Sequence, residues 1–182
     1  MSLNREPPPK LRFDPIAEAR RQWETHGWQD AAPGVAAVTS IMRAQQVFQA
    51  QVDEVLRPFA LTFARYELLM VLSFSREGAM PLSKLGDRLQ VHPTSITNAV
   101  DRLEAQGFIR RRPHESDRRM TMAELLPEGR ALAKSATTAL NAAVFENLGL
   151  GRDELELLFE LLRNLRIAVG DFEADDALTT KR

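Results

Sequence analysis

The sequence predicts a mainly α fold with a small β component (α+β): a helix-turn-helix carrying a β-hairpin wing, embedded between N- and C-terminal helices that form a dimerisation region. Three observations predict it. Apolar residues recur at steps of three and four along most of the chain. Two short helical segments flank the three-residue turn Gln90-Val91-His92, the second opened by Pro93. Directly after them the period becomes that of strands, Phe108 to Pro113 and Met120 to Leu126, around the polar tip His114-Glu115-Ser116-Asp117-Arg118-Arg119.

Composition narrows the function classes. The 182 residues are 44% hydrophobic and 27% charged, enough for one core or two small ones and incompatible with collagenous, repeat or wholly disordered chains. No apolar run reaches the roughly 18 residues of a membrane span, and the proline-rich, polar start is unlike an export signal, so a cytoplasmic protein is expected. The absence of cysteine removes disulfide scaffolds, thiol catalysis and cysteine zinc sites. Net charge is −1, but it is unevenly spread. Leu82 to Arg119 holds eight basic residues against five acidic, a local +3, whereas Glu146 to Asp176 holds three against nine, a local −6. The two regions are expected to face different partners.

Taken in order, residues 1–14, with Pro7, Pro8 and Pro9, read as a mobile arm. Residues 15–28 read as an extension helix: Pro15 suits its first position behind an Asp14 cap, and Ile16, Ala19 and Trp23 fall at helical spacing before Gly27. Ala31 to Gly34 reads as a linker, and residues 35–60 as one long amphipathic helix ended by Pro58. Residues 61–126 form the helix-turn-helix unit. In it Phe63 to Phe74, apolar nearly all round, is a helix buried on most sides, Ser83 caps a short helix with Leu85 and Leu89 inward, and Pro93 opens a helix that buries Ile96, Val100 and Leu103. Gly107 ends that helix and brings Phe108 back to Leu103. Residues 127–173 supply two further dimerisation helices, broken at Gly149-Leu150-Gly151, the second with a near-heptad stripe from Leu155 to Phe172, and residues 174–182 read as a frayed tail. These long stripes exceed what the small lobe can cover, which implies a homodimer.

The chemistry concentrates on the helix opened by Pro93. Its face opposite the core carries Thr94, Ser95, Thr97, Asn98, Asp101 and Arg102, short polar groups that let a helix start approach a major groove closely; Asn can pair with adenine and hydroxyls can reach base edges or phosphates. Taken alone, the same residues serve equally as a solvated face. Arg118 and Arg119 at the hairpin tip, in a stretch shared with Arg110, Arg111 and Arg112, suit a narrow minor groove, while Asp117 orients an arginine within the tip. A solvated turn with a local ion pair is the plainer alternative. The candidate DNA contacts are Ser83, Lys84, Pro93, Thr94, Ser95, Thr97, Asn98, Arg102, Arg118 and Arg119.

Leu82 to Leu89, Val91 through Arg111, the wing Asp117-Arg118-Arg119 and Leu126-Pro127-Glu128-Gly129 together resemble the MarR family of bacterial winged-helix regulators, over about Val35 to Gly170. The resemblance implies a homodimer with interlocked terminal helices, two lobes reading a pseudo-palindromic double-stranded DNA operator, a repressor as the default outcome, and a small-molecule effector. Leu126 stands where the family usually has a capping Thr or Ser. Trp23, Glu67 after Tyr66, and Arg111 further resemble the urate-responsive branch, whose recognition-helix arginine is here Ala99. The expected effector is an aromatic or apolar anion near Trp23, Tyr66, Glu67, Met70 and Arg111; Trp23 and Trp28 also read simply as packing anchors of the extension.

Enzyme chemistry has no support in the motifs: there is no phosphate-cradling glycine loop, HExxH or GxSxG. His26, His92 and His114 lie in separate elements and give no metal-binding face, so neither a metal nor a cofactor is expected. The rival reading is a dimeric helical interaction module without specific DNA binding, and the basic hairpin argues against it.

Overall fold

The computed structural model describes residues 11–115, 117 and 119–173. The expected arm therefore lies outside the described residues up to position 10, as do Arg118 in the wing and the expected tail from 174. The chain divides into two compact units, residues 1–138 and 139–182.

In the first unit, α1 (Pro15–Thr25) starts where Asp14 Oδ1 accepts the Ile16 N–H at 2.9 Å. It stops at Thr25, short of Trp28, because Gly27 adopts φ +88°. The chain turns there, the Trp28 N–H donates back to the Trp23 carbonyl at 3.0 Å, and the two indoles meet at 5.1 Å between centroids. α2 (Ala32–Leu56) takes up the residues expected as a linker. Pro33 fits its first turn, and the Trp28 carbonyl accepts both the Ala31 and Ala32 amides, so no separate connector remains. The helix closes as a 3₁₀ turn, Arg57–Phe59, with Ala60 left-handed.

α3 (Phe63–Phe74) begins with the Thr62 hydroxyl accepting the Arg65 amide and buries Tyr66, Leu68, Leu69 and Leu72. Burial is not all round. Phe74 is 77% exposed, because Ser75 leaves the helix as extended backbone immediately after it. A strand absent from the sequence reading, β1 (Ala79–Pro81), leads straight into α4 (Leu82–Leu89). Pro81 thus occupies the N-cap position and Ser83 stands inside the helix rather than capping it. α5 (Pro93–Ala105) follows, then β2 (Ile109–Pro113) and β3 (Thr121–Leu125). The sheet is antiparallel in the order β1-β3-β2, with Met80 opposite Ala123 and Arg110 opposite Glu124. Leu56, Leu68, Leu69, Leu72, Leu85, Val100, Leu103 and Ile109 are fully buried. Each contributes roughly 1.5–3 kcal/mol. This core holds α5 by one face and leaves the other in solvent.

α6 (Pro127–Leu140) returns beside α3 within the first unit, burying Ala133 and Ala136. In the second unit the helical path loosens into a single π turn, Asn141–Phe145, where the Glu146 amide reaches the Asn141 carbonyl five residues back. The regular helix expected to Leu148 therefore ends earlier. α7 (Arg152–Ala168) opens with Glu154 accepting the Gly151 amide at 2.7 Å. It presents Leu157, Leu158, Phe159, Leu161 and Leu165 to solvent. Its end is clasped by Arg166, which pairs with Asp171 at 2.7 Å and stacks 5.0 Å from the Phe172 ring centroid. Among the described residues, no helix is long and apolar enough to cross a membrane.

Candidate nucleic-acid interface

α5 is specified at both ends. His92 caps it through Nδ1, which accepts the Thr94 amide at 3.3 Å, and Pro93 supplies a pre-set first turn. At the far end the Gly107 and Phe108 amides return to Glu104 and Leu103 at 2.9 and 3.0 Å, a Schellman closure made possible by Gly107 at φ +75°. Ile96, Val100 and Leu103 face the core. Pro93, Thr94, Ser95, Thr97, Asn98 and Arg102 are all exposed, and so are Ser83 and Lys84 in the first turn of α4. An open groove of about 660 Å³ runs between the start of α3 and this face, lined by Thr62, Arg65, Ser95, Asn98, Arg102 and Gln106 among others. Thr97 is partly spoken for, since its hydroxyl donates to the Pro93 carbonyl at 3.1 Å.

The wing carries three successive arginines with different partners. Arg110 and Arg112 share Glu124 across the ladder, at 2.8 and 2.9 Å. The Arg110 hydrogen bonds hold the Glu124 carboxyl below the usual range. Arg111 points the other way: its amide donates to Glu104 Oε1 at 2.7 Å and its guanidinium reaches Glu104 Oε2, Asp101 Oδ1 and the Thr97 carbonyl. Chiefly through the Arg111 amide, Glu104 is held below the ordinary carboxylate range. At the tip Asp117 accepts the Arg119 amide at 3.0 Å, and Arg119 is exposed. Asp117 thus orders the backbone of the wing arginine.

The residues expected at an effector site do not form one set. Tyr66 and Met70 converge on Thr137 of α6: the Tyr66 hydroxyl lies 3.1 Å from Thr137 Oγ1, and Met70 Sδ lies 3.2 Å from it. Thr137 has one proton and donates it to the Ala133 carbonyl at 2.8 Å, which leaves Tyr66 as donor to Thr137. Beside them a depression of about 350 Å³ is lined by Met70, Ser73, Arg130, Lys134, Thr137 and Thr138. Arg111 is taken up by α5, because two carboxylates one helical turn apart meet its fork there. Trp23 packs against Trp28 with the rings tilted 59° to each other, and Glu67 is half-buried with its pKa raised by burial, an acid where an anion was expected. Arg130, Lys134 and Thr137 went unnoticed in the sequence because their relation to α3 depends on helix packing. The pair Asp101 and Glu104, at i and i+3 before an arginine, was a readable signal. Among the described residues no group of three or more His, Cys, Asp or Glu could hold a metal ion.

The pattern described as the MarR family matches residues 61–121. A MarR family transcriptional regulator from Streptomyces coelicolor, Sco5413, is similar in structure with 46% identity and a TM-score of 0.70, covering 78% of this chain and 99% of its own. Sco3205 from the same organism, a MarR family regulator solved in complex with DNA, is 25% identical with a TM-score of 0.65, covering 77% and 88%. The HTH-type transcriptional regulator PecS of Dickeya dadantii (strain 3937) is 26% identical over 166 residues, 89% of this chain and 95% of PecS. With the helix-turn-helix, wing and three-stranded sheet in place, and with identity at this level across nearly all of a solved relative, the chain belongs to the MarR family of transcriptional regulators.

Proposed function

We propose that this protein is a homodimeric, ligand-responsive repressor that binds a pseudo-palindromic DNA operator, with α5 in the major groove and the wing in the minor groove. The observation that carries this reading is the exposed face Thr94, Ser95 and Asn98, short polar groups at the helix start, followed by Arg102 on the same face and bordered by the wing with Arg119. Sco3205, built alike, was solved with DNA bound. Asn98 reads a base, Arg102, Lys84 and the wing arginines Arg118 and Arg119 engage phosphate or the minor groove, and Ser83, Pro93, Thr94, Ser95 and Thr97 fit the helix start to the backbone.

Dimerisation is supported by apolar side chains that the chain leaves open. Val38, Ile41, Met42 and Phe48 lie at helical spacing on α2, and Leu158, Leu161, Leu165 and Val169 do so along α7 and its cap. The effector is an aromatic or apolar anion at Tyr66 and Met70, where Arg130 and Lys134 supply positive charge. The protein works by binding rather than catalysis, in the cytoplasm with its DNA. Asn98→Ala tests the base assignment: it should weaken binding to a duplex selected by the wild type by about 1–3 kcal/mol and relax preference at one base position. Equal affinity and equal preference in the variant and wild type would remove Asn98 from the reading residues.

A further inference from the structure

α5 is anchored by one buried face, and the left-handed glycine turn at Gly107 leads from it into β2, whose first residue, Ile109, is buried in the same core while the arginines that follow are not. The side chains of Arg111 and Glu104 span that turn. Arg111 reaches back from β2 to Glu104 and Asp101, and to the Thr97 carbonyl two turns earlier, while its own amide is fixed on Glu104. The Arg111 side chain is 26% exposed against 36% for Glu104 and 55% for Asp101, so what the cluster supplies is several bonds fixed at once by one planar group rather than shielding from water. Asp101 also lines the same surface hollow as Asn98 and Arg102, so the clamp sits against the reading face itself. Its neighbours Arg110 and Arg112 instead pair with Glu124 inside the sheet.

We propose that Arg111, with Glu104 and Asp101, is a positioning clamp that fixes the wing relative to the recognition helix and so sets sequence discrimination without touching DNA. The inference rests on the DNA-binding reading above. Two properties follow from the geometry. The clamp needs a planar fork, because it engages two carboxylates and a carbonyl at once, so a lysine cannot replace the arginine. Its contribution also runs against simple electrostatics. Removing the Glu104 charge makes the surface more positive, which by itself tightens binding to any DNA, yet breaking the clamp loosens the fit to the correct sequence.

The test uses the full chain and two probes, a duplex enriched by the wild type from a random pool and a random-sequence duplex of equal length. Arg111→Lys and Glu104→Gln should each lower the ratio of selected to random affinity by roughly tenfold. For Glu104→Gln the random-duplex affinity should stay level or rise. Arg111→Gln should leave the salt slope on random DNA unchanged, and Arg111→Gln with Glu104→Gln should cost no more than the worse single variant, as for partners in one unit. Thermal melting of every variant fixes a titration temperature at which all are folded. An unchanged affinity ratio in both Arg111→Lys and Glu104→Gln would reduce the clamp to a surface ion pair. A slope lower by about one phosphate in Arg111→Gln would make Arg111 a DNA contact instead. If the wild type enriches no sequence, the DNA reading fails and takes this inference with it.

Discussion

Gly129 sits in the first turn of α6, where replacing a helical glycine with alanine ordinarily stabilises by about 1 kcal/mol. Here the sign should reverse. A Cβ at this position would lie 2.9 Å from the Phe108 carbonyl carbon and from Leu125 Cδ1, and closer still to the Phe108 oxygen. The obstruction is backbone, and that oxygen accepts the Leu126 amide at 3.0 Å, so relief means moving the start of β2 or breaking the bond that joins it to the entry of α6. Overpacking of this kind costs about 1–3 kcal/mol, and the hydrogen bond about 0.5–1.5 kcal/mol more if lost. Subtracting the propensity gain leaves Gly129→Ala destabilised by about 1–3 kcal/mol, a fall in Tm of roughly 3–10 °C for a chain of this size. Gly34, in the first turn of α2 with nothing within 4 Å of its Cβ position, is the control. Gly34→Ala should stabilise by about 0.4–1 kcal/mol. Thermal unfolding of the two variants against wild type decides the matter, and a Gly129→Ala protein that melts with or above Gly34→Ala would refute the packing described at the wing base.

Glu67 is half-buried and its pKa is raised by burial, so the folded state holds its proton more tightly than the unfolded chain. Its carboxylate therefore costs stability at neutral pH, and Glu67→Gln should raise Tm there with an advantage that vanishes as pH drops through the carboxylate range; a constant offset at all pH values would count against this. Glu104 and Glu124 carry the opposite sign, since their arginine partners lower both pKa values. Their stabilisation is complete above the ordinary glutamate range and is lost as pH falls below it through the lowered folded-state values, so replacing either with Gln should flatten the acid limb of a Tm–pH curve, whereas an unaltered limb would show these pairs idle. Tyr66→Phe removes the hydrogen bond to Thr137 and should cost about 0.5–1.5 kcal/mol in denaturant unfolding. Leu161→Asp places a charge on the exposed stripe of α7 and should weaken self-association at least tenfold, roughly 1.4 kcal/mol, by sedimentation; an unchanged dimer would move the interface elsewhere.

What the sequence made legible was local chemistry. The turn Gln90-Val91-His92 with Pro93, the Gly107 closure onto Leu103 and the inward set Ile96, Val100 and Leu103 all appear in the structure, because each depends on residues a few positions apart. Harder to read was anything decided by a neighbour distant in sequence. β1 is three residues ending in Pro81 and exists only because β3 offers it a ladder. Pro33 and Gly34 suggest a break by composition, yet the Trp28 carbonyl collects the preceding amides and the helix begins there. The resemblance to the urate-responsive branch makes Arg111 an expected effector ligand. Its commitment to α5 follows from β2 lying beside that helix, which brings Asp101 and Glu104 within its reach. The same holds for Tyr66 and Met70, whose meeting point, Thr137, lies more than sixty residues away.

Whether this chain reads DNA as a dimer is decided by a selection from random-sequence duplexes with the 182-residue chain, followed by titration of the enriched duplex at two salt concentrations with the stoichiometry measured. The expected result is a pseudo-palindromic sequence with half-sites about one DNA turn apart, two chains per duplex, and affinity that falls steeply with salt. Enrichment of no sequence, or salt-insensitive binding by a single chain, would contradict it.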